Sequence, residues 1–95
     1  MKIKGTIRVI QKRESGTSAA TGKAWTSQRI IIGWDEAVDD DNHAREQLLQ
    51  VKIREADLAK FDAMGLALGD AIECDVSFYT SLRNGYIHND IVMLL

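Results

Sequence analysis

Apolar and polar residues alternate over residues 2–12, with Ile3, Ile7 and Val9 on one parity and Lys2, Lys4, Thr6 and Arg8 on the other. A period of two marks a strand with one buried face. Gly5 interrupts the alternation, and a glycine inside a strand predicts a bulge or bend by which a small barrel turns a corner. Residues 13–24, RESGTSAATGKA, combine two glycines with small hydroxylated side chains and read as a hairpin loop. Alternation resumes over 25–34. Ile30, Ile32 and Trp34 take the inward parity, and Trp25, Ser27, Arg29 and Ile31 the outward one.

Residues 35–46, DEAVDDDNHARE, are acidic and aperiodic and predict a long connecting loop. A third strand over about 47–54 points Leu49, Val51 and Ile53 inward and Gln50, Lys52 and Arg54 outward. The period then changes. Leu58 and Phe61 stand at helical spacing, Glu55 and Asp57 occupy the first turn, and Gly65 stands where a C-terminal cap belongs, so residues 55–64 predict a short helix. After the turn GLALGD, Ile72, Cys74, Val76, Phe78, Thr80 and Leu82 are expected inward, against Glu73, Asp75, Ser77, Tyr79 and Ser81 outward. Asn84-Gly85 is a strong hairpin signal, because both central residues of a type I′ turn need positive φ. Residues 86–95 form the returning strand.

The predicted class is all-β with one short helix. Three strands, a helix and two strands are the element order of the five-stranded Greek-key barrel of the oligonucleotide-binding (OB) fold, with the helix between the third and fourth strands. An open α+β sheet covered by one helix is the alternative. With 95 residues, one domain spanning 1–95 is expected. The apolar runs fall far short of the roughly 20 residues that span a bilayer, and the amino end enters the first strand with no signal-peptide pattern. These features predict a cytoplasmic protein with no membrane association.

Charge sharpens the picture. The formal net charge is −2, which opposes generic polyanion binding. Its distribution is uneven. Residues 1–29 carry seven basic side chains (Lys2, Lys4, Arg8, Lys12, Arg13, Lys23 and Arg29) against Glu14 alone, whereas residues 30–50 carry six acids against Arg45. Such asymmetry can build a basic stripe on an acidic protein. Cys74 is the single cysteine and lies in phase with Ile72 and Val76, so it is expected to be a small buried residue.

Within the first hairpin, Gly16-Thr17-Ser18 followed by Gly22-Lys23-Ala24-Trp25 and then Gln28 resembles the corresponding hairpin of small phage and bacterial single-stranded-DNA-binding proteins of the OB type. It also resembles short uncharacterised bacterial OB-type domains. The likeness spans the strand order but is concentrated in residues 15–28. Ala24 stands where those relatives often have proline, and the loop holds one additional small residue. The resemblance implies sequence-tolerant binding of single-stranded DNA, with RNA as the alternative strand, for protection during replication or recombination. It also implies paired barrels, a homodimer or higher homo-oligomer.

Sequence-tolerant binding needs aromatic faces for bases and cations for phosphates along one groove. By parity, Lys4 and Arg8 share the outer face of the first strand, Trp25 and Arg29 that of the second, and Lys52 and Arg54 that of the third. Tyr79, Arg83 and Tyr86 belong to the last hairpin; Lys12, Arg13 and Lys23 flank the first loop. These twelve residues are the candidate contacts. Each has a plainer alternative. Trp25 could cap the barrel or sit between subunits, and Tyr79 with Tyr86 could form a cross-strand aromatic pair. Trp34 is expected in the core and Lys60 on the surface. The apolar end Val92, Met93, Leu94 and Leu95 suggests an edge buried between subunits. A second reading of the same face is a protein-interaction module, with the acidic loop as its recognition element.

Little in the sequence supports catalysis. His43 and His88 lack companions at zinc-ligand spacing. Asp39, Asp40 and Asp41 lack the spacing of a calcium loop, and no Ser or Thr follows Lys23 as a phosphate-binding loop requires. No enzyme activity, metal or cofactor is expected.

Overall fold

The computed structural model describes residues 1–37 and 44–95. The acidic run Asp39–Asp41 and His43 lie outside the described residues. Among the described residues, six strands and one helix follow in the order β1 (Lys2–Ile10), β2 (Glu14–Thr17), β3 (Ala24–Ala37), β4 (Ala44–Ile53), α1 (Leu58–Ala63), β5 (Ala71–Arg83) and β6 (Tyr86–Leu94). A 3-10 turn over Glu55–Asp57 leads into α1. The strand order is β1-β5-β6-β4-β3-β2, and an additional β1–β3 pairing closes β1, β5, β6, β4 and β3 into a five-stranded ring. Closure removes the exposed edges that an open sheet would present. The helix sits between the third and fourth barrel strands. This is the OB arrangement expected from the element order, and the open-sheet alternative falls.

β1 makes closure possible by serving two neighbours. Lys2–Thr6 pairs with Ala71–Asp75 of β5, and Thr6–Ile10 pairs with Ile30–Gly33 of β3. Gly5 stands where the strand passes from one partner to the other, and a Cβ there would lie 2.5 Å from the Gly33 carbonyl oxygen. Only glycine admits that approach. A few residues on, Ile7 donates to the Asp70 carbonyl (2.9 Å) and accepts from Gly69 (2.8 Å), so the turn after α1 takes the place of a strand partner. The β1–β3 register slips between Ile7 and Val9. The slip corrects the expected parity: Val9 is exposed, and Ile10 packs against the core instead.

Ile3, Ile7, Ile30, Ile32, Val51, Ile53, Ile72, Cys74, Val76 and Met93 fill the barrel, and Leu58 and Phe61 of α1 join the same cluster. β-branched side chains suit these pleated walls. Trp34 is partly buried against the cluster, in keeping with its inward parity. Burial raises the pKa of the Cys74 thiol, and the Asp75 carboxylate adds to the effect, so the group stays protonated among apolar neighbours. Gly65, at φ +61°, follows the helix as expected. Asn84 and Gly85, at φ 51° and 80°, make the tight turn between β5 and β6.

Four further expectations need correction. Residues 13–24 are not all loop, because Glu14–Thr17 pairs with Ala24–Ser27; likewise Asp35–Ala37 pairs with Ala44–Glu46, which shortens the acidic connection. The inward alternation of β5 stops meaning burial after Val76. Phe78 is 58% exposed and Leu82 73%, because this part of the β5–β6 hairpin extends past the barrel as an arm whose inner face none of the described residues covers. Finally, the apolar carboxyl end is not an edge strand of the barrel. β6 lies between β5 and β4: Met93 faces the core and Val92, between Lys52 and Ser77 on the outer face, is only 6% exposed.

Among the described residues, no helix is long and apolar enough to cross a membrane.

Candidate nucleic-acid interface

Two hairpins flank the outer face of β3, β4 and β6. One is β2–β3, closed by Ser18 donating to Lys23 (2.8 Å) and Gly22 donating to Ser18 (2.8 Å). The other is the projecting β5–β6 arm. Between them runs an open cleft of about 580 Å³ lined by Trp25, Ser27 and Arg29 of β3, Lys52 of β4, Glu14, Ser18 and Ala19 of the first hairpin, and Ser81, Arg83, His88, Asn89 and Asp90 of the second. A volume of this size falls within the range of small-molecule binding sites, roughly 300–1,000 Å³. A shallower depression of about 240 Å³ adjoins it, where Trp25 and Lys52 meet Arg54.

Trp25 is 41% exposed, and its placement has a local cause. Gly16 stands directly opposite it in the β2–β3 ladder. A Cβ on Gly16 would lie 2.8 Å from Cζ2 and 3.0 Å from Cε2 of the indole, so the ring lies flat across the glycine. An aromatic over a bare edge-strand glycine covers exposed backbone and fixes its own orientation. Trp25 also lines the cleft and the adjoining depression.

The corner between β1 and β2 is fastened by Gln28. Its amide donates to the Gln11 carbonyl (3.0 Å) and accepts from Arg13 Nε (3.2 Å). Arg13 also pairs with Asp62 of α1. The Gln of the recognisable hairpin is therefore a buried structural amide, and Arg13 is a clamp between strand and helix.

The twelve candidates divide clearly. Trp25, Arg29, Lys52 and Arg83 share the cleft, with Arg54 beside it. Arg54 is already engaged, its guanidinium holding the buried Asp57 carboxylate at 2.8 Å. Tyr79 and Tyr86 are exposed on the cleft-side face of the arm, but they are not a cross-strand pair: Tyr79 faces Asp90 and Tyr86 faces Arg83. Lys23 is exposed at the tip of the first hairpin, and Lys12 is exposed between β1 and β2. Arg8 lies across Gly33 and meets Glu46 at 3.4 Å, toward the far end of β3–β4. Lys4 stands opposite Glu73 on the β1–β5 side and does not line the cleft.

Parity reasoning missed Glu14, Ser81, His88, Asn89 and Asp90. All are short polar residues that carry no signal alone; only the pairing of the two hairpins around β3 brings them together.

An OB barrel with a cleft between its first and last hairpins defines a class of fold, and solved structures share it. The chain is similar to a Plasmodium falciparum single-stranded-DNA-binding protein in complex with single-stranded DNA, at TM-score 0.56 and 9% identity over 100% of this chain and 83% of that one. It is also similar to a mitochondrial single-stranded-DNA-binding protein of S. cerevisiae, at TM-score 0.51 and 17% identity over 99% and 87%. At these identities the likeness establishes the fold. No protein-family model matches the sequence, and no curated protein matches it.

Proposed function

We propose that this chain is one OB domain that binds single-stranded DNA without sequence preference along most of its groove, performs no catalysis, and protects exposed strands in the cytoplasm during replication or recombination. The observation that carries the reading is the cleft, where an exposed indole adjoins Lys52 and Arg83 between two hairpins. That combination supplies a stacking face and phosphate partners on one track. The structural neighbours add support, since both are named as single-stranded-DNA-binding proteins.

A fluorescence titration tests it, with both tryptophans as reporters. Oligo-dT is expected to quench emission by stacking on Trp25, duplex DNA to bind far more weakly, and RNA to report strand preference. Affinity falls with salt at a slope of about −0.7 per phosphate neutralised. Replacing Lys52 and Arg83 together flattens that slope, whereas replacing Lys4 leaves it unchanged. Salt-independent binding removes the cleft as the site.

Self-association belongs to the same reading. Support comes from the arm, where Phe78, Leu82 and Ile87 are exposed on the face opposite Tyr79 and Arg83. A second copy laid against this stripe would cover it and lengthen a short groove. Light scattering is expected to show a dimer or larger assembly that Leu82→Glu dissociates; a monomer at tens of micromolar removes the idea, and a protein partner then becomes the better occupant.

A further inference from the structure

The floor of the cleft is not simply basic. Arg29 Nη1 lies 3.7 Å from Glu14 Oε2 on the first hairpin, and Nη2 lies 3.8 Å from Asp90 Oδ1 on the second. Both separations exceed a hydrogen bond, so the guanidinium is centred between two carboxylates without donating to either. Two negative charges flank one positive charge there. A phosphate brought to Arg29 would meet repulsion from both sides, which directs the strand's backbone to Lys52 and Arg83 and turns its bases toward Arg29.

We propose that Glu14, Arg29 and Asp90 form a seat for one guanine base, a specific position within an otherwise sequence-tolerant groove; the inference rests on the strand-binding reading above. Guanine alone among the four bases carries two adjacent acceptors, O6 and N7, and two adjacent donors, N1–H and N2–H. The fork of an arginine matches the acceptor pair, and a carboxylate with two acceptor oxygens matches the donor pair. O6 and N1 are neighbours on the ring. An arginine and a carboxylate already held less than 4 Å apart can therefore engage adjacent positions of one base. Single strands expose these edges for such contacts. The other bases fit less well: adenine and cytosine place an amino group beside the acceptor that Arg29 needs. Thymine offers a single donor flanked by carbonyls that the carboxylate repels.

The test compares an oligo-dT with the same oligomer carrying one central dG, so that no guanine quadruplex forms. The dG oligomer is expected to bind about tenfold more tightly. Replacing the dG by 7-deazaguanine, which lacks the N7 acceptor, or by inosine, which lacks the N2 amino group, should each give back part of that gain. The double variant Glu14→Gln, Asp90→Asn should lose the guanine preference, binding the dT and dG oligomers alike, with affinity for oligo-dT equal to or above that of the unaltered protein because two charges that repel phosphate are gone. Equal affinity for the dT and dG oligomers in the unaltered protein overturns the seat while strand binding stands. An unchanged preference with both analogues also overturns it. Failure to bind either oligomer overturns the strand-binding reading itself, and the seat with it.

Discussion

Trp25→Ala weakens single-strand binding by about 1–3 kcal/mol, the usual worth of one base stacked on an aromatic side chain. Trp25→Phe and Trp25→Tyr retain most of the affinity, because either ring offers a face. Stability changes little, by about 0.5 kcal/mol, because the indole contributes no atoms to the barrel core and is 41% exposed. Titration and thermal melting of the same variant check both halves. A melting temperature that collapses, or a folded variant with unchanged affinity, assigns Trp25 to packing and leaves the protein-interaction reading ahead.

Gly16→Val provides the converse experiment. It leaves the tryptophan in place but puts side-chain atoms where the ring now lies, 2.8 Å from Cζ2. The indole must lift off β2. Affinity is expected to fall toward that of Trp25→Ala although every cation and aromatic group remains. Full affinity in a folded Gly16→Val protein would show that the ring's orientation on the glycine does not matter to binding.

Local chemistry was legible in the sequence wherever one residue type forces one backbone state. Asn84-Gly85 had to be a tight turn, Gly65 had to end the helix, and the pattern of Ile30, Ile32, Val51 and Ile53 had to face a core. What alternation could not reveal was how far the opposing wall extends. Phe78 and Leu82 continue the parity of Ile72, Cys74 and Val76 but outrun the barrel, so the same pattern means core at one end of β5 and solvent at the other.

Alternation alone points Val9 inward, but the β1–β3 register slips between Ile7 and Val9, beside the point where the turn at Gly69 and Asp70, some sixty residues away, bonds to Ile7. The site shows the same limit. Trp25, Arg29 and Lys52 followed from parity on strands that are ladder neighbours. Arg13 and Arg54 carry the same charge, yet their partners decide their roles: Asp57 stands three residues from Arg54, whereas Asp62 reaches Arg13 only through the tertiary fold.

Gly5→Ala is expected to cost about 1–3 kcal/mol of folding stability, the usual range for overpacking, with Gly5→Val at the top of that range or beyond. The added Cβ would meet the Gly33 carbonyl oxygen at 2.5 Å. That oxygen belongs to the closing strand, so relief requires parting β1 from β3, whose Thr6↔Gly33 pairing lies at the seam. For a domain of this size, 1 kcal/mol corresponds to roughly 4–8 °C in melting temperature.

Gly33→Ala is the matched control on the other side of the same seam. Its Cβ meets Arg8 Nε at 2.5 Å and Cγ at 2.8 Å, atoms of an exposed, flexible side chain that can swing away. The two variants add the same methyl group within one seam, and only the first drives it into backbone. Melting curves that fall far for Gly5→Ala and little for Gly33→Ala locate the barrel's closing constraint at Gly5. Equal losses would mean that Arg8, not the β1–β3 backbone contact, holds the seam.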